Sequence, residues 1–578
     1  MRLVLVPNAE LGEHSEDYKP EIPLGLLSLA TILSRLDMVS VQVLDPRHVD
    51  FQPSIHTAEL LLASAPDVIG FSTMCNTYPY ALRTAQLLKQ IKPDITVVFG
   101  GPHATVVGKE TLTSFAFVDF VLMGECEHSI VDFVAYLSMQ DRSPADVPGL
   151  IFRQKGTAIQ SGCNYPVLRA DELPEINYEL FPDLHDFSSI PLDVGRGCPF
   201  ACTFCTTSVY WERRYRLRSA QYVIDTVKYL KSMHGLTSFG FVHDNFTASP
   251  HRVADFCEHI IASGLEFKWR CSARPDCVDS KLLELMFTAG CRSIFMGVES
   301  GSPRIQRLCN KRLKLDRVAP LVSKSMEFGI PITVSFITGF PYEEIADIER
   351  TLRMMSAINY EGRTSCDLQL HLLSPVPGAP LLDEPNVEIA LDDTASDVSA
   401  SGTLDQVMKS WIFNLGKSIF GSFYHYVNTT VPRQQILALR LGWFTLFSHL
   451  RVTALAMEEA RRNDDFALVS VFDTCGLKAA AGDATAEFEW CVSSVQRFLE
   501  NVGRSWAESL AAVLDFEAEI YRLRLSGGRC LMNCNYDVNE WVERAMGGAP
   551  VISFPRPANV RYFIMTDGEM LKIACLPV

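Results

Sequence analysis

Two successive runs of alternating strand-like and helix-like segments constrain the fold of this chain more than any other feature. The first run fills residues 1–140. Its short apolar segments lie at 3–6, 39–44, 68–72, 96–99 and 117–122, separated by amphipathic stretches at 24–36, 58–64 and 80–91. Apolar strands that alternate with helices are typical of a parallel sheet covered on both faces. We therefore predict a doubly wound α/β domain whose ligand lies at the carboxyl ends of the strands.

The second run spans residues 190–385 and contains six strand-like segments with helix-like segments between them. The strands are expected at 191–194, 238–242, 266–271, 293–298, 332–337 and 368–373, and the helices at 221–233, 252–263, 280–289, 316–328 and 345–358. Such units in a row, without an obvious reversal of order, predict an open, partial (β/α)6 barrel. In that architecture the active site lies at the C-terminal ends of the strands.

The remaining segments lack this alternation. Residues 141–189 contain five prolines and no sustained period, so we predict a linker with a hairpin near 151–159. After an acidic stretch at 392–402, helical periodicity continues to about residue 525, and strand-like segments follow at 560–565 and 570–575. Residues 386–578 are therefore expected to form a mainly α-helical domain.

Charge and hydropathy exclude several classes of protein. The chain has 52 basic and 68 acidic side chains, a net charge of −16, and this balance disfavours nucleic-acid binding because phosphate contacts need a basic face. No apolar run approaches the roughly 20 residues of a membrane-spanning helix. Residues 1–7 are too short for a signal peptide, so a cytoplasmic location is expected.

The 17 cysteines do not suggest a disulfide framework, because their number is odd and no secretion signal is visible. Most are isolated along the chain and are typical of small buried side chains. Cys530 and Cys534, with the distant Cys575, have the composition of a second metal site, but a pair at this spacing arises easily by chance. We interpret these three residues as structural.

The strongest chemical signal is the spacing C-x3-C-x2-C of Cys198, Cys202 and Cys205, directly after the first strand of the barrel. Three thiolates at this spacing can hold a [4Fe–4S] cluster and leave its fourth iron without a protein ligand. A structural zinc site needs four closed ligands, and no fourth lies nearby in the sequence. We therefore predict an iron–sulfur cluster at the end of the barrel where active sites lie.

This arrangement resembles the radical S-adenosylmethionine (SAM) superfamily over residues 191–381. The resemblance implies that the open iron binds SAM and that a reduced cluster cleaves it to a 5′-deoxyadenosyl radical. That radical removes a hydrogen atom from an unactivated position. The further SAM contacts that the resemblance implies are Phe204 beside the adenine, Asp244 after the second strand, Ser272 and Arg274 after the third, and Gly297, Glu299 and Ser300 after the fourth.

The N-terminal domain resembles the Rossmann-like cobalamin-binding domain that precedes the barrel in one subfamily of these enzymes. The resemblance implies that the domain binds cobalamin through its strand-end loops, at Asn8, Ser72, Thr73, Met74, Gly100, Gly101, His103, Gly124, Glu125 and Glu127. Two departures are visible. No Asp-x-His-x-x-Gly motif supplies a lower axial histidine, and Cys126 replaces the second glycine of the usual Gly-Glu-Gly-Glu. A flavodoxin-like domain without a corrin remains the alternative.

The segment 210–219 follows the cluster motif and is rich in arginine and aromatic residues. One interpretation is that the segment only connects the cluster motif to the next helix. The other is a wall between corrin and cluster, or a clamp for an anionic substrate. In the C-terminal domain, Trp443, Phe444 and Phe447 lie at helical spacing, near Arg451, Arg461 and Arg462. Core packing explains these aromatics better than a lid over the barrel.

Three functions follow from the resemblance. The first is a cobalamin-dependent radical SAM methyltransferase that uses methylcobalamin to methylate an unactivated carbon, less often phosphorus, of a natural-product intermediate or peptide. It would depend on a flavodoxin- or ferredoxin-type reductant. The second is a non-methylating enzyme that performs a ring contraction, cyclisation or oxidation, since residues 197–218 also resemble anaerobic ring-forming cyclases. The third, a non-catalytic corrinoid carrier or sensor, does not explain the SAM motifs.

Overall fold

A computed structural model describes most of the chain. The described residues are 1–7, 22–46, 53–138, 142–162, 165, 167–181, 183–187, 189–362, 366–391, 404–472, 474–477, 483–504, 506–526, 529–536, 538, 557–567 and 570–576. Asn8, one of the residues expected to bind cobalamin, lies outside them.

The N-terminal domain is built on a seven-stranded sheet with five helices. Strands β1–β7 are Arg2–Val6, Ser40–Val43, Val68–Ser72, Thr96–Gly100, Phe120–Leu122, Leu150–Gln154 and Thr157–Gln160, and helices α1–α5 are Leu24–Leu33, Ile55–Leu62, Tyr78–Ile91, Pro102–Ser114 and Ser129–Ser138. The strand order is β2-β1-β3-β4-β5-β6-β7, and β1–β5 are parallel. The order reverses between β1 and β3, the position where doubly wound sheets bind ligands. The predicted doubly wound fold is confirmed.

The hairpin expected near 151–159 is present and extends this sheet. Strands β6 and β7 are antiparallel, and β6 also pairs antiparallel with β5. The two residues between them, Lys155 and Gly156, both have positive φ, 50° and 82°. Two-residue hairpin turns with positive φ at both positions match the twist of the flanking strands. The segment that the sequence suggested as a linker therefore supplies the last two strands at one side of the first sheet, of which β7 is the edge strand.

The second sheet forms the partial barrel. Strands β8–β15 are Ile190–Asp193, Gly195–Arg196, Arg216–Leu217, Ser238–Val242, Lys268–Ala273, Cys291–Glu299, Ile332–Thr338 and Cys366–Leu372, and helices α6–α12 are Thr207–Tyr210, Ala220–His234, Pro250–Ala262, Ser280–Thr288, Pro303–Leu308, Val318–Glu327 and Ile345–Gly362. The six-stranded sheet has the order β8-β11-β12-β13-β14-β15, with every neighbouring pair parallel. This confirms six barrel strands without a reversal. Strands β9 and β10 form a separate antiparallel ribbon.

The C-terminal region is mainly helical, as predicted. Helices α13–α18 are Gln406–Leu415, Lys417–Phe420, Arg433–His449, Arg451–Asn463, Ala484–Val502 and Ala507–Ser526, and strands β16–β20 are Ile389–Leu391, Tyr424–Tyr426, Arg529–Tyr536, Pro557–Asp567 and Met570–Leu576. Strand β18 was not predicted, because its sequence RCLMNCNY contains no β-branched residue. No helix in the described ranges is long and apolar enough to span a membrane.

The first two of these helices, α13 and α14, pack on the N-terminal domain. Ile412, Ile419 and Phe420 are buried in the same apolar cluster as Phe99 and residues of α3 and α4. The His103 ring lies 4.4 Å from the Tyr78 ring, and its Nε2 donates to the Ile419 carbonyl oxygen at 3.0 Å. The C-terminal region therefore contributes to the core of the first domain.

Two of the three aromatic residues of α15 that were expected to pack in the core do so, and Phe444 does not. Trp443 and Phe447 are buried, and their ring centroids lie 5.4 Å apart. Phe444 is 37% exposed. On α16, Arg461 and Arg462 form ion pairs with the buried Glu458 at 2.7 and 3.1 Å. These side chains stabilise the helical region.

The three C-terminal cysteines lie on different parts of the β18–β20 sheet. Cys530 and Cys534 are four residues apart on β18, a separation of about 13 Å at about 3.3 Å per strand residue. Cys575 on β20 is paired with Tyr562 of the intervening strand β19. This spacing fits the structural interpretation.

A buried carboxylate closes the loop after β14. Glu343 Oε2 accepts hydrogen bonds from the Gly339 backbone N–H at 2.6 Å and from the Thr338 hydroxyl at 2.8 Å. Burial raises its pKa to about 7, an increase that these two hydrogen bonds only partly oppose. Because the folded protein binds this proton more tightly than the unfolded chain, Glu343 stabilises the fold at low pH. That contribution is lost as the pH rises from about 4.5 to about 7.

Glu343→Gln should therefore make the free energy of unfolding less dependent on pH. Between pH 4.5 and pH 8 the free energy of unfolding of the wild type should fall by about 3 kcal/mol more than that of the variant, because glutamine cannot ionise. Urea unfolding between pH 4.5 and 8 measures this difference. Burial also raises the pKa of Glu517 to about 7, so part of the wild-type dependence persists. Identical pH profiles for variant and wild type would contradict the prediction.

Candidate active site

A cavity of about 830 Å³ lies between the carboxyl ends of the first sheet and the second sheet. On the N-terminal side its wall includes five glycines, Gly25, Gly70, Gly100, Gly101 and Gly124. On the barrel side it includes Val242, Arg270, Ser272, Phe295, Thr333 and Gln369. A side chain added at Gly25 would meet no atom within 4 Å. The glycine-rich wall thus leaves room for a bulky group, as the cobalamin resemblance requires.

The structure brings most of the residues expected to bind cobalamin to this cavity. Those that line it are Ser72, Met74, Gly100, Gly101, Gly124, Glu125 and Glu127. Thr73 and His103 are buried behind the wall. The Thr73 hydroxyl donates to the Gly100 carbonyl oxygen at 2.8 Å and accepts from the Ala104 backbone N–H at 3.2 Å. Burial lowers the pKa of His103 to about 4, so its ring is neutral. These two residues hold the loops in place.

The turn at Gly101 depends on glycine. Its φ is +94°, and a Cβ added there would lie 2.9 Å from both the backbone nitrogen and oxygen of Thr73. Since real Cβ atoms do not approach backbone atoms this closely, any side chain must displace the Thr73 loop from the cavity wall. Gly101 therefore fixes the shape of the wall.

Gly101→Ala should weaken hydroxocobalamin binding at least tenfold while leaving the iron content unchanged. The added methyl group displaces Thr73 and its neighbours Ser72 and Met74, which line the cavity. Visible absorption of protein dialysed against hydroxocobalamin measures the retained corrin. Gly264→Ala is the matched control, because Gly264 also has positive φ, +65°, but nothing lies within 4 Å of an added Cβ. Equal retention in the two variants would contradict the prediction.

A buried network of ion pairs joins the two domains beside the cavity. Arg196 of β9 pairs with Glu127 at 2.6 Å and with Asp193 at 3.3 Å, and its second nitrogen lies 3.7 Å from Glu125. Arg216 of β10 forms a bidentate ion pair with Glu125. Burial alone would raise the pKa of Glu127, but the Arg196 charge and hydrogen bond lower it overall. Glu127 is therefore ionised at neutral pH.

The cysteine loop begins at the β9–β10 ribbon. A Cβ at Gly197 would lie 1.9 Å from the Arg214 carbonyl oxygen, so only glycine fits there. The Gly197 backbone N–H donates to Asp244 Oδ2 at 2.7 Å. Asn245 Nδ2 lies 4.0 Å from Cys198 Sγ, and Arg274 Nη1 lies 3.9 Å from Cys202 Sγ. The ends of β11 and β12 thus position the loop.

The three cysteines are half-buried and form no disulfide. Burial raises the pKa of Cys202 to about 11, and the charges of Lys311 and Arg274 oppose that increase. Across the described residues, no three Cys, His, Asp or Glu side chains converge on one point as they would around a single ion. A [4Fe–4S] cluster does not require such convergence, because each thiolate binds a different iron. The donor set therefore fits a cluster with one open iron.

The expected SAM contacts occupy different positions around this loop. Asp244 and Ser272 line the cavity. The Phe204 ring lies 6.0 Å from the Phe340 ring. The buried Ser300 hydroxyl accepts from the Ser302 backbone N–H at 3.1 Å and lies 3.2 Å from the Thr351 hydroxyl, so it organises the loop after β13.

Arg274 and Glu299 each form an ion pair in this structure, with different partners. Arg274 bonds to Asp276 at 2.7 Å, and its guanidinium lies 3.9 Å from the centroid of the Phe200 ring. Glu299 lies beside Gly297 and forms a buried ion pair with Lys311. Arg274 is therefore held close to the cysteine loop.

Sequence reasoning missed several residues of this site. Lys311 has no motif that distinguishes it from a surface lysine. Arg196 lies two residues before Cys198, but its partner Glu127 is 69 residues away. Tyr210 and Trp211 line the cavity, and the Tyr210 hydroxyl donates to the Gly124 carbonyl oxygen at 3.0 Å. This favours the interpretation of that segment as a wall.

Comparisons with known proteins agree with this architecture. Residues 17–134 match the B12 binding domain, and residues 192–355 match the radical SAM superfamily. An uncharacterized methyltransferase of Pyrococcus horikoshii is 29% identical over 363 residues, which cover 62% of this chain and 77% of that protein. The anaerobic magnesium-protoporphyrin IX monomethyl ester cyclase of Rubrivivax gelatinosus is 26% identical over 51% of this chain and 55% of that protein.

A solved structure shares the fold. The radical SAM methyltransferase TsrM of Kitasatospora setae, with cobalamin and a [4Fe–4S] cluster bound, superimposes with a TM-score of 0.56. The match covers 80% of this chain and 99% of that chain at 16% identity. The domain order, the cysteine loop and the glycine-lined cavity agree with the two family matches. The chain therefore contains a B12 binding domain followed by a radical SAM domain, and these two domains imply a [4Fe–4S] cluster, SAM and cobalamin as its cofactors.

Proposed function

We propose that this protein is a cytoplasmic methyltransferase that methylates an unactivated carbon, less often phosphorus, of a small natural-product intermediate or a peptide. The observation that carries the proposal is a cavity whose wall combines the corrin-side loops with strand ends of the barrel. A substrate in that cavity would contact both domains at once. Relatives named as methyltransferases support the same class of reaction.

The cofactors would supply the chemistry: one-electron cleavage of SAM and a transferable methyl group on cobalt. The chain's own residues bind and orient these groups. Cys198, Cys202 and Cys205 would hold three irons, and a flavodoxin- or ferredoxin-type protein would deliver the electron. Asp244 and Ser272 would face SAM from the cavity wall.

The barrel side of the cavity would hold the substrate. Arg270 and Phe295 are exposed on the walls of the cavity, on neighbouring strands β12 and β13. Tyr210 and Trp211 also line this cavity. Bound cofactors and substrate would exclude water from this cavity, which would protect a reactive radical from side reactions.

A second function is a non-methylating ring-forming reaction. Relatives named as anaerobic cyclases favour it, as does the resemblance of residues 197–218 to such cyclases in sequence. Such an enzyme would use the same cavity but transfer no methyl group from SAM.

One experiment separates these functions without knowledge of the substrate. Reconstituted protein holding cob(I)alamin is mixed with SAM that carries a CD3 methyl group, and the extracted corrin is analysed by mass spectrometry. A methyltransferase yields CD3-cobalamin and an equal amount of S-adenosylhomocysteine. Release of 5′-deoxyadenosine under reducing conditions without labelled corrin favours the non-methylating enzyme, and neither product indicates a carrier.

A further inference from the structure

The turn at residues 309–312 lies between the cysteine loop and the end of β13. Its Cys309 carbonyl oxygen accepts from the Thr203 backbone N–H at 3.0 Å, and Asn310 Nδ2 donates to the Ala201 carbonyl oxygen at 2.8 Å. Thr203 and Ala201 lie between the three cluster cysteines in sequence. The turn is therefore fixed to the loop that would hold the cluster.

The backbone of this turn is strained. Asn310 and Arg312 have φ of 54° and 57°, in the left-handed region that non-glycine residues rarely adopt. Such conformations persist only where the surrounding contacts determine them, and they cluster at functional sites. Between these two residues stands Lys311, whose side chain is 8% exposed.

The same turn is tied to the end of β13 through Gln306. The backbone N–H groups of Lys311 and Arg312 donate to the Gln306 carbonyl oxygen, each at 3.0 Å. The buried Gln306 side chain donates to the carbonyl oxygens of Val298 and Ser300, each at 2.7 Å. Glu299 lies between these two carbonyls and itself has a φ of 70°. Turn and strand end are therefore held as one unit.

The Lys311 ammonium pairs with Glu299 Oε1 above the bare Cα of Gly297. A Cβ at Gly297 would lie 2.4 Å from Glu299 Oε1 and 3.0 Å from Lys311 Nζ. Glycine at this position thus makes room for the ion pair. Because both side chains are buried, the pair holds the Glu299 carboxylate in one orientation.

We propose that Lys311 is a positioning residue for SAM: it orients the Glu299 carboxylate to accept hydrogen bonds from the SAM ammonium or ribose hydroxyls. The inference rests on the proposed position of SAM beside Glu299. The pair engages Oε1, so the ligand would bind through Oε2. The turn that carries Lys311 also contacts the cysteine loop, so a single element places both the cluster and the carboxylate.

The test is SAM affinity of the reconstituted, reduced full-length enzyme, read from the change in its EPR spectrum as SAM is added. Lys311→Met should raise the Kd about tenfold, as loss of one charge-assisted hydrogen bond does, with iron content unchanged. Lys311→Arg should restore most of the affinity, because the positive charge remains. Lys314→Met is the matched control: Lys314 is exposed three residues away and should bind SAM as the wild type does.

A double-mutant cycle tests whether Lys311 acts through Glu299, and its double variant avoids the uncompensated buried charge that could make Lys311→Met alone fold poorly. Glu299→Gln should weaken SAM binding, and adding Lys311→Met should cause no further loss, because Lys311 acts through Glu299. Wild-type affinity in Lys311→Met, or additive losses in the double variant, would overturn the role of Lys311. Wild-type affinity in Glu299→Gln would instead overturn the proposed SAM position, and the role of Lys311 with it.

Discussion

Replacing any one of Cys198, Cys202 and Cys205 by alanine should reduce both the iron content and SAM cleavage to background. Two thiolates do not hold a cubane cluster that needs three, and without the cluster nothing in the chain can supply an electron to SAM. Iron analysis of anaerobically reconstituted protein and quantification of 5′-deoxyadenosine measure the two losses. This is the largest effect we expect from any single substitution.

Cys277→Ala is the control that tests which thiols matter. Cys277 is buried, follows the end of β12, and lies near enough to Cys198 to interact with it electrostatically. We expect this variant to keep its iron and to cleave SAM, since an open fourth iron requires that no fourth cysteine binds. Loss of iron in Cys277→Ala, or normal SAM cleavage in any variant of the triple, would contradict the assigned cluster ligands.

The second largest effect should come from Arg196→Met. The positive charge of Arg196 neutralises the negative charge of Glu127 in the buried network between the domains. Arg196 also contacts Asp193 and Glu125. Removal of one partner of a buried ion pair typically costs 3–5 kcal/mol, because an uncompensated charge is left behind. We expect a loss of about that size, and release of cobalamin at lower urea concentrations, since Glu125 and Glu127 line the cavity.

Two further variants distinguish charge from packing at this network. Arg196→Met combined with Glu127→Gln removes both partners and should recover most of the lost stability. Arg169→Met removes an exposed ion pair with Glu172 and should leave the stability close to that of the wild type. The urea midpoint of cobalamin release compares all three proteins. An Arg196→Met midpoint equal to that of Arg169→Met would refute the structural role of the network.

The local patterns of the sequence predicted the folds of both α/β domains and the position of the cysteine loop. Strand periods and turn residues act over a few positions, so β1–β5 and the six barrel strands were visible from the sequence. The spacing of the three cysteines was equally local. These features determine the architecture because each strand and helix is specified by its own segment.

The contacts that complete the site were not visible, because they join distant residues. Arg216 meets Glu125 across 91 positions, and neither residue has a pattern that identifies the other. Lys311 is only 12 positions from Glu299, but their contact depends on the strained turn and on the buried Gln306. The hairpin β6–β7 was expected as an isolated element, whereas its pairing with β5 depends on how the whole sheet is assembled.

The packing of α13 and α14 on the N-terminal domain affects how this chain could be recombined with its relatives. Residues 406–420 come more than 260 positions after α5, but they share an apolar core with α3 and α4. A cobalamin-binding unit transplanted as residues 1–140 would expose that apolar surface to water. Chimaeras that exchange residues 1–162 together with 404–426 should be the ones that remain soluble, because these two segments share one apolar core.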